Sequence, residues 1–336
     1  MLSLPLGAVE VPTLYTAEVP LDQEARDPRA AAYKAALVEV LLRVSGAELA
    51  LDEEMVSLLF PNPGAYVTQF RPGADDSLWI SFDGAAIENE LRKAGQTVWG
   101  NDRPLTLVWL AVDWGQGKRE IVAADDPDRI EQEARSIDRN RMIRERLLGI
   151  AERRGLPLLF PLLDTTDLQG VTFADIWGGF DEAILDASKR YDVNSVLIGR
   201  VRAESAQPAR WSWYFVGAGT TLSGSPEAVL GQVADTLAAE FAIGGNLPLE
   251  SIALNISGVV SVEAYGNVER ILDNVALIEN FVVTAVSGDR VSYRVDVRGG
   301  AGRLSRALRL TDLVEQDFVI DSGQFDDAEL EFYYNP

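Results

Sequence analysis

The amino-acid sequence predicts an α/β (α+β) protein made of three small α/β domains. With about 150 residues per domain as a guide, the 336 residues provide for two or three domains. Segments with apolar residues at helical spacing alternate along the chain with short apolar or period-two segments, which is typical of helices layered on sheets. We therefore expect domains at residues 9–102, 103–245 and 246–336, after a short leader at residues 1–8.

The first predicted domain is marked by a long amphipathic helix. Asp27 is a good N-cap, Pro28 suits the first helical position, and Gly46 is typical of a helix end. The apolar residues between them recur at helical spacing: Ala32, Ala36, Leu37, Val40, Leu41 and Val44. Strands predicted at residues 15–19, 66–70 and 78–83 make this domain α/β.

The middle predicted domain contains two strands that we expect to be buried on both faces. Leu105–Val112 and Ser195–Gly199 are continuous apolar runs, as in strands covered by helices on both sides. Helices are predicted at residues 126–154, 181–190 and 227–241, and a further strand at residues 211–216. This alternation predicts an α/β sandwich.

The last predicted domain has the element order of a split β-α-β, or ferredoxin-like, unit. A strand at Ile252–Ile256 precedes a helix capped by Ser261, and a hairpin turns at Ser287–Arg290. A second helix starts after Gly300, and Phe318–Ile320 is the fourth strand of the predicted β-α-β-β-α-β order.

The segment from Asp312 to Glu331 holds eight acidic residues and no basic one. Such a segment is typical of a solvated acidic tail, and binding of a basic partner is the alternative. We expect the tail to lie outside the folded core.

The chain contains neither histidine nor cysteine, and this double absence narrows its chemistry. Catalytic Ser-His-Asp and Cys-His groups need these residue types, as do zinc sites built on imidazole or thiolate and redox thiols. Enzymes that work with carboxylates, lysine or tyrosine stay possible.

Two glycine-containing segments fail as nucleotide-binding motifs. A phosphate loop has the pattern G-x-x-x-x-G-K-S/T. If Gly117-Lys118 were its G-K pair, position 112 would have to be glycine and position 119 serine or threonine, but the chain has Val112 and Arg119. The second segment, residues 217–222, begins Gly217-Ala218-Gly219 like the dinucleotide fingerprint G-x-G-x-x-G, but Leu222 stands where the third glycine is needed. Because no motif is complete, we predict no catalytic residue, no cofactor-binding residue and no metal ligand.

The formal net charge is −22, which makes nucleic acid and anionic lipid poor partners because both are negatively charged. No run of 18 or more apolar residues is present, so we expect no membrane-spanning segment. Residues 1–8 combine an apolar run with small residues up to Ala8, as in the last half of a signal peptide. We therefore expect a soluble, exported protein of the periplasm.

Five acidic residues cluster in the middle of the sequence: Asp164, Asp167, Asp175, Asp181 and Glu182. Two suitably spaced carboxylates are enough for a glycosidase. We interpret these residues as helix caps and solvated charges, with Asp181 as the N-cap of the helix that follows it. A carboxylate-dependent hydrolase of cell-wall glycan is the alternative.

Two aromatic segments supply the candidate interaction residues. Trp177 and Asp181 belong to the segment Asp-Ile-Trp-Gly-Gly-Phe-Asp, which fits either a packed tight turn or a ligand pocket. Trp211 and Trp213 share one face of a predicted strand, with Tyr214 on the other, and this aromatic stripe fits either a core or a docking surface. As a docking surface, the strand would receive an added strand or an apolar helix.

Three segments resemble a bacterial family described as domain of unknown function 2066. They are LRKAGQTVWGNDRPLTLVW at residues 91–109, FADIWGGFD at residues 173–181 and RYDVNSVLIGRV at residues 190–201. Members of that family usually begin with a signal peptide, so the resemblance implies export. Through residues 193–201 the middle domain is also similar to the amino-terminal domain of TolB and to the middle domain of the flagellar assembly protein T.

These observations predict a non-enzymatic binding or assembly module for another cell-envelope component. Its partner would be an envelope protein or a peptidoglycan-associated component.

Overall fold

The computed structural model of the chain describes residues 8–46, 53–124, 139–203, 208–244, 247–275, 277–309, 311, 313–316 and 329–335. The leader before Ala8, the first half of the helix expected from residue 126 and the strand expected at Phe318–Ile320 lie outside the described residues. The described part is built from helices and several small sheets, so the predicted α/β class is confirmed. Among its helices, none combines the length and apolarity needed to span a bilayer.

The helices are α1 (Pro28–Ser45), α2 (Glu53–Leu59), α3 (Gly84–Lys93), α4 (Arg139–Arg154), α5 (Thr165–Gly170), α6 (Phe173–Gly178), α7 (Asp181–Ser188), α8 (Pro226–Phe241), α9 (Val262–Asn274) and α10 (Gly300–Leu308). Short 3-10 turns occur at Pro63–Tyr66 and Lys189–Tyr191.

The strands are β1 (Ala8–Glu10), β2 (Thr16–Pro20), β3 (Val67–Pro72), β4 (Ser77–Phe82), β5 (Thr97–Val98), β6 (Asp102–Pro104), β7 (Thr106–Gly115), β8 (Lys118–Ile121), β9 (Leu158–Leu159), β10 (Ser195–Arg202), β11 (Ala209–Phe215), β12 (Ala218–Gly224), β13 (Ile243–Gly244), β14 (Leu249–Ser257), β15 (Ile278–Ser287), β16 (Arg290–Arg298), β17 (Leu313–Glu315) and β18 (Glu329–Tyr334).

The first sheet has the antiparallel order β2-β4-β3 and is covered by α1. As the sequence predicts, the Asp27 carboxylate accepts a hydrogen bond from the amide of Ala30, and Gly46 ends the helix at a φ of 72°. The left-handed conformation at Gly46 costs glycine little because it has no Cβ. All six apolar residues at helical spacing in α1 are buried.

The middle sheet has the order β12-β11-β10-β7-β8, and β9 also pairs with β7. Its central strands, β7 and β10, are parallel, with Thr106 opposite Ser195 and Asp113 opposite Arg202. Both strands are buried on both faces, which explains their continuous apolar sequences.

Alternate residues of β7 enter two different cores. Val108, Leu110 and Val112 pack on the side of α4 and α8. Leu107, Trp109 and Ala111 pack on the side of α6 and α7. The middle sheet is therefore the central layer of a helix–sheet–helix sandwich.

The carboxyl-terminal sheet has the order β15-β16-β14-β18-β17, with α9 and α10 packed on its core face. Ser261 caps α9 and β15 and β16 form the hairpin, both as predicted. The structure differs from the expected ferredoxin-like unit in its last strands. The strand after α10 is β17, and β18 is inserted between β14 and β17, parallel to β14.

The expectation of a solvated acidic tail from Asp312 to Glu331 is wrong at both ends of that segment, because residues 313–315 form β17 and residues 329–331 belong to β18. Glu331 lies in β18 and is only 7% exposed. Its carboxylate accepts hydrogen bonds from Asn255 (2.9 Å) and from Arg290 (2.5 Å). A buried carboxylate is tolerated when it is paired and hydrogen-bonded in this way. Residues 317–328 of the predicted tail lie outside the described residues.

Arg103 in β6 joins the first sheet's helix to the middle sheet's helical layer. It is fully buried, and its guanidinium lies 4.0 Å from the ring centroid of Trp99. The guanidinium donates hydrogen bonds of 2.8–3.3 Å to five backbone carbonyl oxygens, those of Arg43, Trp99, Gly100, Arg154 and Gly155.

Two of these carbonyls belong to the carboxyl-terminal turns of α1 and α4, at Arg43 and Arg154. The last carbonyls of a helix lack partners within the helix and carry partial negative charge. Arg103 is therefore a shared cap for two helix ends, which accounts for a cation held among carbonyl groups.

Candidate functional site

The candidate site lies at the carboxyl ends of the parallel strands β7 and β10, on the side covered by α6 and α7. Val196 and Ile198 of β10 enter the core on that side, so Arg200 and Arg202 continue the same face beyond it. In α/β sheets, ligands bind outside the carboxyl ends of the parallel strands. This end of the sheet is therefore where a binding surface is expected.

Two stacked aromatic rings on α6 form the centre of this surface. Phe173 and Trp177 are one helical turn apart, and their ring centroids lie 5.2 Å apart with an interplanar angle of 19°. The guanidinium of Arg202 lies 5.4 Å from the Trp177 ring, and that of Arg119 lies 5.8 Å from the Phe173 ring. We call Arg119, Phe173, Trp177 and Arg202 the arginine–aromatic face.

The exposure of this face suits a binding surface. Both aromatic rings are half-buried, while Arg119 and Arg202 are exposed. Asp113, which β-sheet pairing places opposite both arginines, lies 3.5 Å from the Arg119 guanidinium. The face therefore offers two guanidinium groups, one of them paired with Asp113, and two half-buried aromatic rings to a partner.

A capping box fixes the helix that carries the two rings. The Asp175 carboxylate accepts hydrogen bonds from the amide (2.8 Å) and the hydroxyl (2.6 Å) of Thr172, and the Thr172 hydroxyl accepts one from the Asp175 amide. The Thr172 hydroxyl bond lowers the pKa of Asp175. Gly179 ends α6 at a φ of 81°, so the glycine pair of the sequence motif forms a turn.

Asp181 has a different role from the N-cap that the sequence predicts. Phe180 is the N-cap of α7, and Asp181 is its first helical residue. Its carboxylate accepts hydrogen bonds from Arg200 (2.6 Å) and from the Tyr214 hydroxyl (2.9 Å). Burial, and then the bond to Asp181, raises the pKa of Tyr214.

Arg200 connects this carboxylate to the aromatic helix. Its side chain is 10% exposed, and besides Asp181 it donates to the carbonyl of Ile176 (2.5 Å). The start of α7, the end of α6 and strands β10 and β11 are thus fastened at one point. Asp181 and Tyr214 are thus connected through Arg200 to α6, the helix that carries the two rings, while Trp177 itself belongs to the arginine–aromatic face.

Trp211 and Trp213 lie on the opposite side of the sheet, in the core formed with α4 and α8. Trp211 is fully buried and packs over Gly199, where a Cβ would overlap its ring. The Trp213 indole donates to the Ser195 hydroxyl (3.0 Å). These two residues belong to the core and are not accessible to a partner.

Docking by strand addition at residues 211–216 is also wrong. Strand β11 pairs along its length with β10 on one side and β12 on the other. Its backbone groups are therefore already used within the sheet, and an added strand has no edge to pair with.

Of the remaining acidic residues of the cluster, Asp164 and Asp167 are engaged in structural contacts, whereas Glu182 is an exposed residue in the first turn of α7. The Asp164 carboxylate caps α5 and binds Arg190 through two bonds of 2.7 and 2.8 Å. Asp167 is 1% exposed and accepts hydrogen bonds from Arg190, Tyr191 and the amide of Leu163. The Arg190 bonds hold the pKa of Asp164 well below its usual range, and burial raises the pKa of Tyr191 to about 12.

Within the described ranges, acidic side chains do not converge in a group of three or more that could hold a metal ion.

Sequence reasoning missed Arg119, Phe173, Arg200 and Arg202. The signal for the two β10 arginines was present, because Val196, Ile198, Arg200 and Arg202 share the period of a strand face. Arg119 could not be placed without the pairing of β8 with β7.

Residues 8–100 match the family model of a domain of unknown function (DUF8605). No curated protein and no solved structure matches the chain. The arginine–aromatic face lies outside the matched residues.

The expected resemblance to domain of unknown function 2066 is wrong, because the family that matches is a different one. The similarity to TolB and to the flagellar assembly protein T has no support in the comparisons either. Two of the three segments that suggested these families lie beyond residue 100, and the structure explains them as local packing. Residues 173–181 include a capped helix with a glycine turn, and residues 195–202 form a strand that is buried from Ser195 to Gly199.

Proposed function

We propose that the chain is a non-enzymatic binding or assembly module for another cell-envelope component, acting as a soluble protein of the periplasm. In this proposal the arginine–aromatic face receives the partner. The domains at residues 9–102, 103–245 and 246–336 are part of the proposal, with the face in the middle one.

The observation that carries the proposal is the placement of the Arg119 guanidinium over Phe173 and of the Arg202 guanidinium over Trp177, two rings that stack on each other. Guanidinium groups bind carboxylates through paired hydrogen bonds, and aromatic rings bind flat apolar surfaces. In a chain with a net charge of −22, two exposed cations on one face favour a partner that carries carboxylates. An acidic envelope protein and a peptidoglycan-associated component both have this chemistry.

The alternative, a carboxylate-dependent hydrolase of cell-wall glycan, has less support. A general acid of a glycosidase needs a raised pKa. The pKa values of Asp164 and Asp175 are lowered by their hydrogen bonds, and Asp181 is bound to Arg200 and Tyr214. These carboxylates serve the packing of α5, α6 and α7.

Binding to envelope components tests the proposal. Purified chain would be incubated with peptidoglycan sacculi in one arm and with detergent-extracted envelope proteins in the other. Trp177→Ala and Arg202→Ala should each reduce the bound fraction severalfold. The matched control is Arg71→Ala, because the Arg71 guanidinium also lies over a tryptophan ring, 4.8 Å from the centroid of Trp79. Arg71 belongs to strand β3 of the first sheet, whereas the arginine–aromatic face belongs to the middle sheet and α6.

Equal binding by all three variants and the unaltered chain would contradict the proposal. Release of sugar fragments with new reducing ends from sacculi by the unaltered chain would favour the hydrolase instead.

A further inference from the structure

Strand β15 is an edge strand with unusual character. It occupies one end of the carboxyl-terminal sheet, and no strand in the described part of the chain pairs with its outer side. Val282, Val283 and Val286 are 49%, 38% and 65% exposed. Edge strands normally carry charges or proline, which discourage pairing with other chains.

The charge pattern of β15 departs from that rule. Its only charged residue is Glu279, near its start, and Arg298 of β16 pairs with that carboxylate. Residues 280–287 carry no charge and no proline, in a chain in which 24% of residues are charged. As far as the described residues show, the central part of this edge is thus open to another strand.

The register of the hairpin defines which face each residue occupies. Phe281 and Val283 lie opposite Val295 and Tyr293, so they point toward the helices. Val282 lies between them and points to the other face. Irregularities occur before Asn280 and after Val283, so residues 280–283 form the regular part of the edge.

We propose that β15 pairs antiparallel with β15 of a second copy of the chain, around a two-fold axis at Val282. A two-fold axis perpendicular to the sheet leaves each side chain on the face that it already occupies. Directly opposed residues of antiparallel strands share a face. The axis must therefore pass through a pair in which a residue lies opposite its own copy. With Val282 on the axis, Phe281 of each copy lies opposite Val283 of the other. Cross-strand pairs of an aromatic and a β-branched residue stabilise sheets.

Electrostatics favours a second copy over a charged foreign strand. In this register, the two Glu279 residues lie six strand positions apart, roughly 20 Å, which exceeds the screening length of about 8 Å at physiological salt. A foreign acidic or basic strand would find no opposite charge along residues 280–287. The general repulsion between two chains of net charge −22 remains, and added salt would weaken it.

Sedimentation velocity over a range of protein and salt concentrations tests the pairing. The unaltered chain should dimerise reversibly, and more tightly as NaCl is raised. Val282→Lys places two ammonium groups side by side at the axis, so the dissociation constant should rise about tenfold or more. The matched control is Val314→Lys, because Val314 is 54% exposed on β17, the edge strand at the opposite end of the same sheet.

A single introduced cysteine tests the register, since the chain has none of its own. Opposed residues in antiparallel strands have Cα atoms about 4.5–5.5 Å apart, which lies within disulfide range. Oxidation should therefore link Val282→Cys into a covalent dimer, while Val314→Cys stays monomeric. If circular dichroism shows that the Val282→Lys variant is unfolded, the cysteine cross-linking experiment alone tests whether β15 pairs with its copy.

A monomer at every concentration and salt level would overturn the proposal. So would equal weakening by the two lysine variants, or cross-linking of Val314→Cys in preference to Val282→Cys. These outcomes leave the arginine–aromatic face unaffected, because it belongs to a different sheet.

Discussion

Replacing Arg103 with methionine should destabilise the protein more than any change of a surface arginine. The substitution removes hydrogen bonds to five backbone carbonyl groups, two of them at the ends of α1 and α4. At a net contribution of about 1 kcal/mol per bond, the loss is about 5 kcal/mol. The contact with Trp99 adds about 1 kcal/mol.

Part of this loss is offset because the variant no longer buries a charge. Burial lowers the pKa of the Arg103 guanidinium, which indicates that desolvation disfavours its charged form. Allowing about 2 kcal/mol for the relief of that penalty, we expect a net loss of about 4 kcal/mol in the free energy of unfolding.

Urea denaturation followed by tryptophan fluorescence measures this loss, because Trp99 lies beside Arg103. Arg103→Lys should recover only a small part of it, since an ammonium group has three donors and lacks the planar fork. Arg71→Met is the control: it removes a similar arginine–tryptophan contact from an exposed position, so it should cost less than about 1 kcal/mol. If Arg103→Met cost no more than Arg71→Met, the interpretation of Arg103 as a shared helix cap would be refuted.

Three further predictions concern single sites. Asp181→Asn should lower the free energy of unfolding by about 2 kcal/mol, because it leaves the nearly buried Arg200 without its carboxylate. Thermal melts measure this loss, and an unchanged melting temperature would contradict the prediction. The pKa of Asp164 is lower in the folded state, so its stabilisation is complete above its unfolded pKa, about 4, and is lost as the pH falls through the lowered value. Asp164→Asn should therefore flatten the acid side of the stability–pH curve, and an unchanged curve would count against the Arg190 bonds. Mass spectrometry of protein recovered from cells should find a mature amino terminus near Ala8, and intact Met1 in cytosolic protein would rule out export.

Local signals in the sequence were sufficient for much of the fold. Asp27 and Gly46 delimit α1, and Ser287–Arg290 delimits the hairpin, because caps and turns depend on a few adjacent residues. Long-range pairing was not predictable in the same way. The position of β18 beside β14 joins residues more than seventy positions apart, and no local pattern encodes it.

The candidate site shows the same division. Trp177, Asp181 and Tyr214 were identified from the sequence and lie together, but Trp211 and Trp213 turned out to be core. An aromatic stripe has the same sequence pattern whether a helix or a partner covers it. Only the position of α4 and α8 over that face decides the matter.

The inserted strand β18 also constrains the order in which the carboxyl-terminal sheet can form. A chain that emerges from its amino-terminal end exposes β14 to β17 before β18, yet β14 and β17 cannot take their final places. Each of them pairs with β18, which comes from residues 329–334. The sheet can therefore close only after these residues have emerged, and until then the unfinished chain presents the edge of β14 to chaperones and neighbouring chains. Proteolytic trimming before residue 329 would have the same effect on the finished protein, because it would remove an interior strand.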